Sequence, residues 1–174
     1  MPTSDRFALR RSYLDSHQNS EDAKPFEKLY RKRVANNQDL AVLVSDHQNR
    51  RGTGKTVLSL KLASRMDRTD DGLTKEKVAI DPDELTEAYI ELPKGSALVL
   101  DEAEAGLSKY EAASAVNRAM RELVSMGRIR EKYLVLNLPA SSELDRDLKA
   151  LCDFWFMITA KGRAIGHHLR WNPY

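Results

Sequence analysis

The segment that most constrains the fold of this chain is the stretch NRRGTGKT, which runs from Asn49 to Thr56. It follows the apolar run LAVLV at residues 40–44 and precedes a helical pattern of apolar residues that begins at Val57. Apart from its first position, the stretch fits the pattern G-x-x-x-x-G-K-[ST] of a phosphate-binding loop between a strand and a helix. In that arrangement backbone N–H groups and the helix N-terminus face an anion. The segment therefore predicts a binding site for a nucleoside triphosphate.

Each position of this loop has an expected role. We expect Lys55 to reach the β- and γ-phosphates of ATP, and the hydroxyl of Thr56 to hold Mg²⁺. Arg50 and Arg51 either contact phosphate or face solvent, and the sequence leaves both explanations open. The residues predicted to line the nucleotide are Asn49, Arg50, Arg51, Gly52, Thr53, Gly54, Lys55, Thr56 and Val57.

The loop departs from the usual pattern at Asn49, where the first glycine is expected. That glycine opens a tight turn in which a side chain is usually unfavourable. Asn is among the non-glycine residues that best tolerate a positive φ angle, so it is the least damaging replacement. Gly52 and Gly54 keep the rest of the loop permissive, and we expect phosphate binding to survive. The alternative is a degenerate loop that binds nothing.

The composition is that of an ordinary globular chain. The 174 residues are 41% hydrophobic and 31% charged, which predicts one domain with a substantial core. A net charge of +2 is too small to indicate nucleic-acid binding by itself. The single Cys152 forms no internal disulfide and is expected to be a small core residue. No apolar run has the length of a membrane span and no signal-peptide pattern is present, so we expect a cytoplasmic location.

Residues 1–38 form a region without a strand pattern and rich in polar side chains. A short amphipathic helix is predicted from Pro25 to Val34, and it ends in the basic triplet at residues 31–33. We interpret residues 1–38 as a polar and basic arm, partly helical, that docks a partner rather than joining the core. The basic triplet either touches a nucleic-acid backbone or is a solvated helix end.

Residues 39–174 alternate between apolar strands and amphipathic helices, which predicts the catalytic domain. The predicted strands cover residues 40–45, 78–80, 97–100, 133–138, 154–159 and 164–171, and the predicted helices end near residues 68, 92, 126 and 151. This alternation is typical of an α/β fold with a mostly parallel sheet and helices on both faces. The last two strands are expected to form an antiparallel hairpin at one edge.

Two carboxylates end the predicted strand at residues 97–100. Asp101 and Glu102 follow it directly, at the edge of the sheet where ligands bind in such folds. We expect Asp101 to hold Mg²⁺, usually through water, and Glu102 to polarise the attacking water. The alternative is an acidic helix start, since Glu102 and Glu104 would also favour a helix N-terminus.

A third group of candidates lies between this strand and the next. Arg128 and Arg130 belong to the segment GRIR, and Asn137 lies near the end of the following apolar strand. An arginine here could stabilise charge on the γ-phosphate, in its own subunit or in a neighbour. Asn137 could contact the γ-phosphate or position the water. The alternatives are a surface or helix-terminal arginine and an asparagine that belongs to a turn.

These motifs together resemble the additional-strand P-loop ATPases, and among them the FtsK/HerA branch, which includes archaeal and viral packaging-type ATPases and Zot-like proteins. The resemblance covers about residues 38–172 and rests on GTGKT, ALVLDE, GRIR, the strand that holds Asn137, and the segment ELDRDLKALCDFWFMI. It implies a RecA-like core in which another strand separates the acidic strand from the loop strand. It also implies ring oligomers, commonly hexamers, with nucleotide at subunit interfaces and double-stranded DNA in a central channel.

Several functions share these residues. The first is an ATPase motor that translocates or packages DNA for a virus or mobile element, in the cytoplasm or on an assembling virion. The second is an ATPase that powers protein export or filament assembly at a membrane, with a portal, coat or membrane partner bound to residues 1–38. A small-molecule kinase is less well matched, because Asp101 and Glu102 suit water activation. A slowly hydrolysing switch is a further alternative, and the absence of an Asn-Lys-x-Asp segment disfavours a GTPase.

Overall fold

A six-stranded sheet organises the part of the chain that the computed structural model describes, which is residues 23–101, 109–126, 131–139 and 145–169. Its strands are β1 (Leu40–Asp46), β2 (Val78–Ala79), β3 (Ala97–Asp101), β4 (Tyr133–Asn137), β5 (Phe154–Ala160) and β6 (Arg163–His168). The helices are α1 (Ala23–Ala35), α2 (Lys55–Met66), α3 (Pro82–Glu91), α4 (Lys109–Ser125) and the short α5 (Arg146–Lys149), with a 3₁₀ turn at Lys75–Lys77.

The strand order in the sheet is β2-β3-β4-β1-β5-β6. All neighbouring strands are parallel except β5 and β6, which form an antiparallel hairpin at the edge. The predicted α/β class, the mostly parallel sheet and the edge hairpin are thus confirmed. β4 lies between β1 and β3, and Asn137 at its end is paired with both Val44 and Asp101. The ends of three parallel strands therefore meet at one edge of the sheet.

Helices α1 and α2 cover one face of the sheet. Phe26 from α1 and Leu62, Ala63 and Met66 from α2 are buried in a single apolar cluster with alternate residues of the central strands. Alternate side chains of a strand point to opposite faces, so the same strands also contribute residues to a second apolar cluster on the other face of the sheet. The helices that pack on that second cluster confirm the prediction of helices on both faces.

Helices α3 and α4 cover the opposite face. Leu85 and Tyr89 from α3 pack with Val116 and Met120 from α4 against residues of the central strands. The side chain of Asp81 accepts a hydrogen bond of 2.7 Å from the backbone N–H of the residue two positions later, which caps the start of α3.

Helix α1 corrects the expectation that the segment from Pro25 to Val34 stays outside the core. The Phe26 ring is only 4% exposed, and it meets the rings of Phe154 and Phe156 edge-on at 5.2 and 5.3 Å. The Tyr30 hydroxyl donates to the backbone oxygen of Met66 at 2.9 Å. The sequence of α1 looked like an arm because its apolar residues are few, but they are large and lie on one side of the helix. A docking role for residues 1–38 stays a prediction.

A buried ion pair lies at the start of β2 and β3, at the edge of the sheet opposite the predicted nucleotide site. Lys77 donates to Asp67 at 2.9 Å, and it also donates to Thr69 and to the backbone oxygen of Gly72. Asp67 accepts a further bond of 2.9 Å from the backbone N–H of Ala97 at the start of β3. Burial alone would raise the pKa of Asp67, but these hydrogen bonds outweigh it and lower the pKa. This network joins the end of α2 to β3.

Candidate nucleotide-binding site

The predicted phosphate loop connects the end of β1 to the start of α2. Its backbone has positive φ angles of 54° at Asn49, 68° at Gly52 and 98° at Gly54. The sequence interpretation of Asn49 is confirmed in this respect, because the residue that replaces the first glycine has a left-handed conformation. A Cβ atom added at Gly52 or Gly54 would have no described atom within 4 Å. The curve of the loop is therefore open at these positions.

Asp46, the last residue of β1, organises the first half of the loop. Its Oδ1 accepts hydrogen bonds from the backbone N–H groups of Gln48 at 2.8 Å and Arg50 at 3.0 Å. The Arg50 guanidinium donates to both carboxylate oxygens, at 3.2 and 3.3 Å. Burial of Asp46 alone would raise its pKa, but the hydrogen bonds from Arg50 and Gln48 hold that pKa well below its usual range. Asp46 is therefore a charged anchor for the loop.

Arg50 fits neither of the two explanations that the sequence left open for its side chain. Its Nη2 donates to Asp46 and, at 2.9 Å, to the backbone oxygen of Thr159 on β5. The guanidinium thus links the loop to the edge hairpin. Because the N–H groups of residues 48 and 50 are bound to Asp46, an anion would be held by the later part of the loop, from Gly52 to Thr56.

Lys55 lies at the start of α2 and is only 4% exposed. Its Nζ donates to the backbone oxygen of Arg50 at 3.2 Å, so the ammonium reaches back across the loop. The hydroxyl of Thr53 is also buried, and it has no hydrogen-bond partner among the residues that the structure describes. A cation and an unsatisfied hydroxyl therefore sit in the half of the loop that would hold an anion.

Thr56, Asp101 and Asn137 meet beside the loop. The Thr56 hydroxyl donates to Oδ1 of Asp101 at 2.9 Å, and Nδ2 of Asn137 donates to the same oxygen. Asn137 is fully buried, and within the described ranges its Oδ1 has no partner. The sequence placed these three residues at one site, and the order of the strands accounts for their meeting: β4 carries Asn137 between the strand of the loop and the strand of Asp101.

The residues of this site fit a Mg²⁺ ion and a nucleotide. A threonine hydroxyl and a carboxylate within 2.9 Å of each other are the oxygen ligands that Mg²⁺ prefers, usually with several waters retained. Lys55 supplies a cation for the phosphates, and the open positions at Gly52 and Gly54 leave room for a close approach. This donor set is therefore compatible with a magnesium ion and a phosphate.

The remaining predicted residues are placed less directly. Val57 is 56% exposed in the first turn of α2, and Arg51 is exposed in the loop. Glu102, Arg128 and Arg130 lie outside the described residues, so their catalytic roles stay predictions. Sequence reasoning missed Asp46. The available signal was its place at the end of the strand, because an Asp side chain readily binds backbone N–H groups two residues further on.

Comparison with known proteins shows a weak structural similarity. No model of a known protein family matches the chain, and no curated protein matches its sequence. Among solved structures, the N-terminal domain of zonular occludens toxin from Neisseria meningitidis has a TM-score of 0.39 and 16% sequence identity, over 78% of this chain and 96% of that chain. At this level the similarity carries no argument about function, which therefore rests on the site itself. Within the described residues, no helix has the length and apolar character needed to span a bilayer.

Proposed function

We propose that this protein is a P-loop ATPase with a RecA-like core, which binds and hydrolyses ATP with Mg²⁺. The observation that carries the proposal is the 2.9 Å hydrogen bond between Thr56 and Asp101. It brings the last residue of the phosphate loop to the acidic end of β3, across the intervening strand β4. The hydroxyl and the carboxylate then meet at the carboxyl edge of a parallel sheet, and Lys55 is the neighbour of Thr56 in the chain.

Different residues of the chain have separate roles in nucleotide binding and in catalysis. Lys55 would reach the β- and γ-phosphates, and backbone N–H groups from Gly52 onward would donate to them. Thr56 and Asp101 would hold Mg²⁺, which would supply charge stabilisation for the phosphate oxygens. Asn137 orients the γ-phosphate or the attacking water through its buried amide. These assignments follow the expectations for phosphoryl transfer, where positioning and electrostatics supply most of the catalysis.

Two catalytic functions are proposed from the sequence alone. Glu102 follows the metal-binding carboxylate directly and accepts a proton from the attacking water. Arg128 or Arg130 stabilises charge on the transferred phosphoryl group, in the same subunit or in its neighbour. Ring assembly, with a hexamer as the expected form, would bring such an arginine to the next subunit's nucleotide.

The first test compares nucleotide binding with hydrolysis. Calorimetric titration with Mg-ATP should show binding that Lys55→Ala abolishes. Glu102→Gln should retain binding and lose hydrolysis. Lys75→Ala serves as the matched control, because Lys75 is 92% exposed and remote from the loop. Competition by GTP should be weaker than by ATP. The proposal fails if the wild-type chain binds no nucleotide, or if Lys55→Ala hydrolyses ATP at the wild-type rate.

The finer proposal is that hydrolysis drives the translocation or packaging of double-stranded DNA. Its support is the resemblance of the sequence motifs to the FtsK/HerA branch, together with the additional strand β4 between β1 and β3. Steady-state hydrolysis at low salt should rise when double-stranded DNA is added, and this rise should vanish in Lys55→Ala and Glu102→Gln. Hydrolysis that ignores DNA would instead favour the export or assembly function, with a portal, coat or membrane partner on residues 1–38.

A further inference from the structure

The solvent sides of α1 and α2 carry an excess of positive charge. Across the two helices Glu27 is the one acidic residue. Six exposed or half-exposed cations on these helices and just beyond α2 are Lys28, Arg31, Lys32, Lys61, Arg65 and Arg68. Arg33 is also half-exposed but pairs with Asp153, and the exposed Asp70 and Asp71 follow Arg68 in the turn after α2. We call these six residues, with Glu27, the basic face. A net charge of +2 for the whole chain conceals this concentration.

The two helices form one continuous surface. Glu27 on α1 bonds Arg65 on α2 at 3.0 Å through Oε2, and it bonds Arg31 at 3.0 Å through Oε1. The hydroxyl of Tyr30 bonds the backbone oxygen of Met66 at 2.9 Å. Because the single carboxylate is shared between two arginines, it neutralises only a small part of the charge on this surface.

The other side of the molecule has the opposite character at α3. This helix carries four acidic residues, Asp83, Glu84, Glu87 and Glu91, and no basic residue. It packs on the face of the sheet opposite α1 and α2. The neighbouring α4 carries exposed Arg118 and Arg121, and Arg118 pairs with Asp83 at 3.1 Å, so part of this negative charge is neutralised. A polyanion approaching the protein would still be attracted to the basic face and repelled by the remaining acidic residues of α3.

We propose that the basic face binds the phosphate backbone of double-stranded DNA. This inference rests on the proposed function for its choice of polyanion. Exposed Lys and Arg side chains suit contacts to phosphate, which give affinity without sequence preference. The basic face would hold DNA while the nucleotide site, at the carboxyl edge of the same sheet, drives movement.

An anionic membrane is less well matched to this surface. Basic helices that bind membranes pair their cations with exposed large apolar residues that enter the lipid. On α1 and α2 the large apolar residues are buried or partly buried against the sheet, as Phe26 and Met66 illustrate. The exception is Val57, which is 56% exposed but lies in the first turn of α2 beside the nucleotide loop. Other large exposed apolar residues that the structure describes are Ile80, Ile90 and Ile165, away from both helices.

The test reverses two charges at the centre of the basic face. Lys28→Glu combined with Lys61→Glu changes exposed side chains for which the structure records no ion pair, and it leaves Glu27 and its arginines in place. The matched control combines Lys75→Glu with Lys161→Glu, which has the same net charge and changes exposed residues outside the basic face. Binding to a fluorescent duplex of arbitrary sequence is followed by anisotropy, and urea unfolding checks that both variants are folded.

The expected result is a change in salt dependence. Loss of two phosphate contacts lowers the slope of log K against log salt by about 1.8. Between about 50 and about 200 mM salt, the variant should therefore lose roughly tenfold less affinity than the wild type, and it should bind more weakly at the low end. The control should keep the wild-type slope. Hydrolysis without DNA should be unchanged in the basic-face variant.

The possible failures are distinguishable. If the wild type binds no duplex, the DNA proposal and this inference both fail, while ATP hydrolysis can stand. If the wild type binds DNA and the basic-face variant keeps its affinity and slope, this inference alone is wrong. Binding to phosphatidylserine vesicles but not to DNA would assign the face to a membrane. If the wild type self-associates in a salt-sensitive way, and the basic-face variant loses this association but still binds DNA, the basic face instead binds α3 of a second copy.

Discussion

Asp46→Asn tests whether the first half of the phosphate loop depends on a buried charge. The wild-type carboxylate accepts two backbone N–H bonds and two bonds from the guanidinium of Arg50. The variant keeps one side-chain oxygen that can accept the backbone bonds, but it loses the charge. We therefore expect the loop to retain its path while becoming easier to open.

The magnitude follows from the kinds of bond that change. A hydrogen bond to a charged group contributes about 1.5–3 kcal/mol and a neutral one about 1 kcal/mol, so two weakened backbone bonds cost about 1 kcal/mol at the low end. The side chain of Asp46 is fully buried, but that of Arg50 is 40% exposed, and water screens the pair. The ion pair therefore adds about 0–1 kcal/mol. The total is about 1–2 kcal/mol, or roughly a tenfold shift in an equilibrium.

Two assays should show this shift. Urea unfolding should give a lower midpoint for the variant with an unchanged slope. Mg-ATP binding should weaken by up to roughly tenfold, because only molecules with a closed loop bind nucleotide. Asp83→Asn is the matched control, since Asp83 is 69% exposed and its removal should change neither measurement. Arg50→Gln and the double variant complete a mutant cycle that isolates the Asp46–Arg50 coupling.

The pH dependence of the free energy of unfolding provides an independent check that Asp46 stabilises the fold in its charged form. The pKa of Asp46 is held well below its usual range, whereas an unfolded Asp titrates at about 3.9. Its contribution to stability is therefore complete above that pH and is lost as the pH falls toward the folded pKa. The stability gap between wild type and Asp46→Asn should be constant from about pH 5 to about pH 8 and should narrow below about pH 4. Wild-type stability and ATP affinity in Asp46→Asn would refute the anchoring role.

Four further predictions test the packing and the site. Gly166→Ala should destabilise the hairpin by about 1–3 kcal/mol in urea unfolding, because the new Cβ would lie 2.7 Å from Phe154 Cε1; wild-type stability would contradict it. Phe26→Ala should lower the free energy of unfolding by about 3–5 kcal/mol in urea unfolding if α1 belongs to the core, whereas the substitution would have little effect in an arm. Lys77→Met should lower the free energy of unfolding by about 3–5 kcal/mol, since the buried carboxylate of Asp67 loses its cation. An unchanged free energy of unfolding would show that water replaces the lysine ammonium. Asn137→Ala should leave Mg-ATP affinity near wild type and lower kcat by about tenfold or more, so an unchanged kcat would remove Asn137 from catalysis.

The sequence was sufficient to predict the convergence of Thr56, Asp101 and Asn137. Asp101 and Asn137 follow or end apolar segments, and Thr56 ends the loop that follows a third. Parallel strands bring their carboxyl ends to one edge, so the strand order determines which ends are neighbours. The bounds of β1, β3 and β4 agree with the predicted strands to within one residue at either end. Strong apolar runs of this kind specify buried strands whatever the rest of the chain does.

The placement of α1 and the anchoring by Asp46 were not accessible in the same way. Whether α1 joins the core depends on its contacts with Phe154 and Phe156, which lie more than a hundred residues further along the chain. A local composition rich in Lys and Arg gives no sign of such contacts, because the cations occupy only the solvent side. Asp46 is similar: its partners are local, but its burial depends on β5 lying beside β1.

The two unsatisfied groups in the site connect these observations to function. A buried polar group without a partner costs roughly 1–3 kcal/mol, so an apolar residue would stabilise the fold better at the position of Asn137 or Thr53. Both unsatisfied atoms, Oδ1 of Asn137 and the hydroxyl of Thr53, belong to residues at the phosphate loop or at the strand end beside it. Polar groups retained at such a cost are expected where a ligand completes their hydrogen bonds. The phosphates of the proposed nucleotide would accept a hydrogen bond from the Thr53 hydroxyl, and the attacking water would donate one to Oδ1 of Asn137. A purely structural role for the loop would leave the cost of both groups without an explanation.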